Sequence, residues 1–177
     1  RVDETPKRGE KARAMVERLA QAKARAALAE VRDFPAIIIA ADTTVVAPGG
    51  KVILGKPEDM NEAYAMLARL QGKTHTVYTG YCVGRIDAAG QKPRLHSRVV
   101  ASKVTFRKMN SDQIARYAVL VQPLDKAGGY AAQGAGMGVI ESIEGSYANV
   151  VGLPISQVLA DLEKYFGYSL FSWIQKP

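Results

Sequence analysis

Cysteine occurs once in the 177 residues, as Cys82, and histidine only twice, as His75 and His96. A lone thiol excludes an intrachain disulfide, and so few Cys and His residues exclude a Cys/His zinc cluster, so any metal must be held by oxygen. Long apolar runs are missing as well. The longest, Phe34–Ala41, falls far short of the ~20 residues that a membrane-spanning helix needs, which argues against a transmembrane protein. Aromatic residues make up only 7% of the chain, and no basic stretch is interleaved with them in the manner of single-strand binders, so nucleic acid ranks behind smaller anionic partners. The charged N-terminus carries no apolar leader, which makes the cytoplasm the expected compartment. The chain opens Arg1-Val2-Asp3-Glu4 without an initiator Met, so a preceding segment is expected.

What is present is ordinary globular material, 47% apolar and 23% charged, enough for one domain or two small lobes around a cleft. Lys and Arg total 24 against 17 Asp and Glu, a net charge of +7 that points to anionic partners such as nucleotides, nucleic acid or acidic membrane. Nine of the basic residues fall before position 33, on a helix-forming segment where a solvated face accounts for much of the charge.

Gly9 to Glu30 is rich in Ala, Leu, Glu, Lys and Arg, with Met15, Leu19, Ala22 and Ala26 at helical spacing. Asp33-Phe34-Pro35 breaks that helix, and Ala36–Ala41 reads as a strand buried on both faces that ends at Asp42. Pro48-Gly49-Gly50 turns into a short strand at Lys51–Leu54. A helix follows, with Asp59 and Glu62 placed as a capping box and Ala63, Met66, Leu67 and Leu70 on one face. Gly72 stops it, and Thr74–Val83 and Leu95–Phe106 read as a long antiparallel hairpin. Asn110 with Gln113 caps a third helix, Val139–Ile143 is strand-like, and Pro154 opens a last helix carrying Ile155, Val158, Leu159 and Leu162. The sum is a mixed α/β domain.

Several familiar motifs fail. Gly72-Lys73-Thr74 has the tail of a P-loop, but Leu67 stands where its first glycine is required. Gly134-Ala135-Gly136-Met137-Gly138 lacks the last glycine of a dinucleotide fingerprint, because Val139 occupies that place, and no helix follows. No G-x-S-x-G elbow occurs, so the hydrolase chemistry to consider is metal-assisted. Three candidates remain. Asp42 closes the Ile-rich run, where open α/β sheets place ligands and where a turn would also use an Asp. Lys56 lies in a loop shaped by Gly55 and Pro57, as either a phosphate cation or a solvated surface charge. Asp125–Gly134 brings Lys126 and the Gln133 amide, which both donates and accepts, into a glycine-rich bend, as either ligand contacts or a plain bend with Asp125 and Lys126 as a surface ion pair. Glu141–Tyr147 is read either as part of this group or as a hairpin end alone.

Taken together, Ala41-Asp42-Thr43-Thr44-Val45-Val46, Leu54-Gly55-Lys56-Pro57 and Leu70-Gln71-Gly72-Lys73-Thr74-His75-Thr76-Val77-Tyr78-Thr79-Gly80 resemble the Maf family of nucleoside triphosphate pyrophosphatases. Val104-Thr105-Phe106-Arg107, Asp125-Lys126-Ala127-Gly128, Gln133-Gly134 and Glu144-Gly145-Ser146-Tyr147-Ala148-Asn149-Val150-Val151-Gly152-Leu153-Pro154 follow in the family's order. The resemblance covers nearly the whole chain. It implies an α/β fold similar to inosine triphosphate pyrophosphatases, with a bent mixed β-sheet flanked by helices and two lobes around a nucleotide cleft. The implied reaction is hydrolysis of a nucleoside triphosphate to monophosphate and pyrophosphate with a divalent metal cation, Mg²⁺ or Mn²⁺, in a cytoplasmic enzyme that often forms a homodimer.

Carried over by position, Asp42 corresponds to the catalytic carboxylate, Lys56 to a phosphate-side cation, and Thr43 and Gln133 to specificity positions. Glu4 corresponds to an acidic position near the metal, and Asp125 and Lys126 to the loop that follows. The D-K-A-G-x-Y-x-x-Q-G form resembles the branch acting on dTTP, UTP and modified pyrimidine nucleotides. The alternative is a non-catalytic nucleotide or nucleic-acid binding protein. Two departures stand out. The family opens with a strand and an S-x-S-x-R-R turn that holds phosphate, so residues 1–177 are expected to form a single domain lacking both. Val121-Gln122 replaces the usual Gly-Glu before Pro123.

Overall fold

The structure, a computed structural model, describes residues 2–169 and 171. Its elements follow in the order α1 (Ala12–Ala29), β1 (Ala36–Val46), β2 (Ile53–Leu54), α2 (Met60–Leu70), β3 (Thr74–Ile86), β4 (Arg94–Phe106), α3 (Ser111–Val121), β5 (Ile140–Glu144), α4 (Tyr147–Val151) and α5 (Ile155–Phe166). Short 3₁₀ turns at Pro123–Asp125, Ala127–Gly129 and Gly134–Val139 fill the glycine-rich stretch. The mixed α/β reading holds, and the strands form one five-stranded sheet in the order β2-β1-β3-β4-β5. Every pairing described within it is antiparallel.

Local chemistry sets the boundaries. Asp59 accepts the Glu62 amide at 2.8 Å and starts α2, but the Glu62 carboxylate accepts the Glu58 amide at 2.7 Å, one residue before the cap. Asn110 and Gln113 make the full reciprocal box on α3, both bonds at 2.9 Å. Gly72, at φ +64, ends the turn after α2 in a conformation that side-chain-bearing residues rarely adopt.

β1 departs from expectation in two ways. It does not end at Asp42 but runs on to Val46, pairing with β3 along its whole length. Nor is its Ile-rich half buried on both faces, since Ile39 is 43% exposed while Thr44, Val45 and Val46 are the buried residues. The reason is its place in the sheet. β2 covers only Val45 and Val46, so among the described residues β1 from Ala36 to Thr44 has a strand on one side only.

α1 packs against the sheet face that carries Gly80, Cys82 and Gly84. A Cβ on Gly80 would lie 2.4 Å from the Val16 carbonyl oxygen, so helix and strand backbones touch almost directly. The buried stripe of α1 accordingly runs through Met15, Leu19, Ala20, Ala24 and Leu28, and Ala22 and Ala26 lie off it. On the opposite face, Val45, Val77, Val104 and Phe106 meet Leu67 and Leu70 of α2 and Ile114 and Ala118 of α3. Full burial of a leucine such as Leu67 stabilises by about 1.5–3 kcal/mol. Tyr81 and Val83 meet Val158 and Phe166 of α5 on that same face.

Two buried polar staples hold these helices to the sheet. The Tyr81 hydroxyl donates to Asp161, which His96 Nε2 also contacts at 3.1 Å. Burial pushes the Tyr81 hydroxyl pKa upward, so it stays protonated and donating. In the second staple, Asn149 Nδ2 donates to the Val77 carbonyl at 3.2 Å and to Ser102 Oγ at 3.0 Å. Ser102 Oγ in turn donates to the Ser146 carbonyl and accepts the Ser146 amide, both at 3.0 Å. Gly145, at φ +118, lets the chain pass Ser102, which an added Cβ would meet at 2.8 Å. Of the apolar C-terminal run, Leu170 and Trp173 lie outside the described residues, and Phe171 is 56% exposed.

Candidate active site

Asp42 sits in the middle of β1, opposite Gly80. Its side chain points to α1, where Lys23 Nζ donates to Oδ1 at 2.7 Å. The same ammonium lies 2.9 Å from Glu4 Oε1, so one lysine gathers two carboxylates. Burial works against the Lys23 charge, but the hydrogen bonds to Asp42 and Glu4 outweigh it and leave its pKa above the ordinary lysine value.

The segment that presents Glu4 is clamped to α1 by Arg18. Its Nε and Nη2 each meet a Glu10 carboxylate oxygen at 2.7 Å, and Nη2 also donates to the Thr5 carbonyl at 3.2 Å. A planar guanidinium suits this fork, and its hydrogen bonds hold the Glu10 carboxyl down at about 2.

Thr43, one residue further, projects to the other face of the sheet. Its hydroxyl lies 2.8 Å from that of Thr79, and Thr79 donates to the Asn149 carbonyl at 2.8 Å. The Gly152 carbonyl is 3.5 Å from Thr43 Oγ1.

Two loops close the site. The Gly128 amide donates to the Gly55 carbonyl at 2.9 Å, which ties the Lys56 loop to the Lys126 loop. Gly128 has φ +72 and packs on Val45, which an added Cβ would meet at 3.1 Å. Lys126 Nζ donates to Asp125 Oδ1 at 2.5 Å and to the Gln122 carbonyl at 3.1 Å. The first of these bonds holds the Asp125 carboxyl below the usual carboxylate range, with the charge of Lys56 adding to the effect. Gln122, where Glu was expected, takes the left-handed conformation at φ 50 and turns the chain into Pro123.

These pieces enclose a cavity of about 670 Å³, a size typical of small-molecule sites. Glu4, Asp42, Thr43 and Lys56 line it, and so do Asp125, Lys126 and Gln133, whereas no residue of Glu141–Tyr147 does, and that segment forms β5 and the turn into α4. Lys23 and Tyr130 also line it and were not anticipated. A lysine on a helix rich in Lys and Arg carries no local signal, and only the fold brings it to Asp42. Tyr130 is braced from behind by His75, whose Nε2 lies 3.0 Å from the Tyr130 hydroxyl. Edge-on contacts among His75, Tyr130 and Phe106 complete the brace, and burial pushes the His75 pKa down to about 4.

Among the described residues no group of three or more His, Cys, Asp and Glu could hold a metal by itself. The two carboxylates brought to Lys23 nevertheless fit Mg²⁺, which commonly takes one or two carboxylates and completes its shell with water and substrate phosphates. Three ammonium groups, Lys23, Lys56 and Lys126, and three carboxylates, Glu4, Asp42 and Asp125, line a cleft of this volume, which defines an α/β domain with a polar, highly charged small-molecule site.

The family described as Maf-like protein matches residues 1–165, and the chain belongs to that family. It is similar to a protein of Myxococcus xanthus named dTTP/UTP pyrophosphatase, with 47% identity over 92% of this chain and 78% of that protein. Proteins with the same name from Pelotomaculum thermopropionicum and Neisseria meningitidis are 45% and 40% identical over 96% and 92% of this chain, and 84% and 79% of their own lengths. No helix among the described residues is long and apolar enough to cross a membrane.

Proposed function

We propose that this chain hydrolyses nucleoside triphosphates, dTTP and UTP foremost, to the monophosphate and pyrophosphate in the cytoplasm. The names of its relatives support the reaction, and one observation on this chain carries the assignment: Asp42, Lys23, Lys56 and Lys126 converge on a single cavity that also holds Thr43 and Gln133. Anionic and neutral recognition are thus available within one nucleotide's reach.

In this reading Asp42 takes the proton of a water that attacks the α-phosphorus. Lys23 keeps the carboxylate oriented through its 2.7 Å bond. Lys56 and Lys126 lie along the phosphates and offset charge on the departing pyrophosphate. Thr43 and Gln133 meet the base. Asp42 and Glu4 are the residues to hold a divalent cation, which when bound supplies Lewis-acid stabilisation of phosphate charge.

The test is to incubate the protein with a panel of nucleoside triphosphates and Mg²⁺ or Mn²⁺ and to identify the products by phosphorus NMR. Pyrophosphate with the monophosphate is expected, fastest from UTP and dTTP. Orthophosphate with the diphosphate nucleotide would place the attack at the γ-phosphorus and overturn the assignment.

A further inference from the structure

Thr79 stands opposite Thr43 in the β1–β3 register and is fully buried. Its Oγ1 lies 2.8 Å from the Asn149 carbonyl oxygen. A carbonyl has no proton to give, so the single hydroxyl proton of Thr79 occupies that line. Asn149 cannot turn its carbonyl away, because its own side chain is bonded to the Val77 carbonyl and to Ser102. The contact between the two threonine hydroxyls, also 2.8 Å, then has one proton left to fill it, that of Thr43. Thr43 therefore donates inward to Thr79. The Gly152 carbonyl, at 3.5 Å, is too far to hold that proton alone, and any share it takes also draws the proton away from the cavity. What Thr43 presents to a ligand is oxygen lone pairs only.

We infer that Thr79 is a positioning residue that makes Thr43 an obligate hydrogen-bond acceptor, so that the site selects bases with a ring N–H beside a carbonyl. This rests on the nucleotide reading of the cavity and deepens it. Uracil and thymine carry such an N–H at N3. Cytosine has an unprotonated nitrogen there, whose lone pair would face those of Thr43. The Gln133 amide, elsewhere on the cavity wall, donates and accepts and so cannot make this distinction alone. The polarity is set one residue behind the surface, by a hydroxyl that no ligand touches.

The experiment is calorimetric binding of the non-hydrolysable α,β-methylene analogues of UTP and CTP. The unmodified protein should hold the uridine analogue about tenfold more tightly or better, the scale of one hydrogen bond and the lone-pair clash that replaces it. Thr79→Val keeps the shape but removes the proton acceptor, and the ratio should fall towards unity, while Thr79→Ser restores it. A purely structural role would weaken both analogues alike and leave the ratio untouched, and that result would overturn the inference. So would equal affinities in the unmodified protein. Should Thr79→Val not fold, Thr43→Val removes the acceptor at the cavity itself, and a ratio that survives this change also overturns it. Hydrolysis is read separately: a protein that discriminates in binding yet releases no pyrophosphate sinks the hydrolase reading and leaves this one standing.

Discussion

Asp42 and Thr43 are adjacent on β1, yet the first projects among the charges of Lys23 and Glu4 on the α1 side, and the second among the hydroxyls and carbonyls of Thr79, Asn149 and Gly152 on the α4 side. The two-residue period of a strand separates these environments within a single step of backbone. Charge on one side suits phosphate, where attraction matters more than direction. Fixed neutral hydrogen bonds on the other suit a base, where direction carries the information. The two sides should therefore respond to mutation independently.

The largest effect is expected on the charged side. Asp42→Asn keeps size but removes the base, and turnover should fall by roughly 10²–10⁴ with the UTP to CTP binding preference intact. Turnover near that of the unmodified protein would remove Asp42 from the chemistry, and a lost base preference would show that the two sides are coupled.

The next effect belongs to the neutral side and appears in stability. His75 is buried with its pKa depressed to about 4, so below about 6.5 the unfolded chain takes up a proton that the folded chain refuses. Its contribution is complete above about pH 6.5 and declines as pH falls towards 4, by roughly 3 kcal/mol in all. Urea unfolding at a series of pH values should show this slope, and His75→Gln should flatten it. An unchanged slope in that variant would assign the acid sensitivity elsewhere.

The smallest effect tests how the charged side is positioned. Gly80→Ala places a methyl group 2.4 Å from the Val16 carbonyl, which forces α1, and Lys23 with it, away from Asp42. Overpacking of this kind costs about 1–3 kcal/mol. Thermal melting should show the loss, and kcat/KM should drop for UTP and CTP alike. A normal melting temperature would mean that α1 adjusts without strain.

Most of the elements were legible from periodicity and caps: the β3–β4 hairpin, the Asn110 box and the α2 face each carry a local signal. Asp42 was found for a reason the fold corrects. The end of the apolar run Ile37–Ile39 looked like the end of the strand, because hydrophobicity reports burial and not backbone pairing. Pairing continues to Val46, and the site opens beside the uncovered stretch of an antiparallel sheet instead of at strand ends. Lys23 was illegible because nothing within α1 distinguishes it from its solvated neighbours. Thr79 carries no local signal either, since a threonine in a Thr-rich strand is distinguished only by where its hydroxyl proton goes.

The 2.9 Å bond from the Gly128 amide to the Gly55 carbonyl bears on the entropy of gathering ligand contacts. Lys56 and Lys126 belong to segments some seventy residues apart in the chain, and two independent loops would each lose conformational freedom on meeting the same anion. Joined through their backbones, they share one hydrogen-bonded frame. Much of the backbone ordering of the two loops is thereby completed during folding, before any ligand arrives.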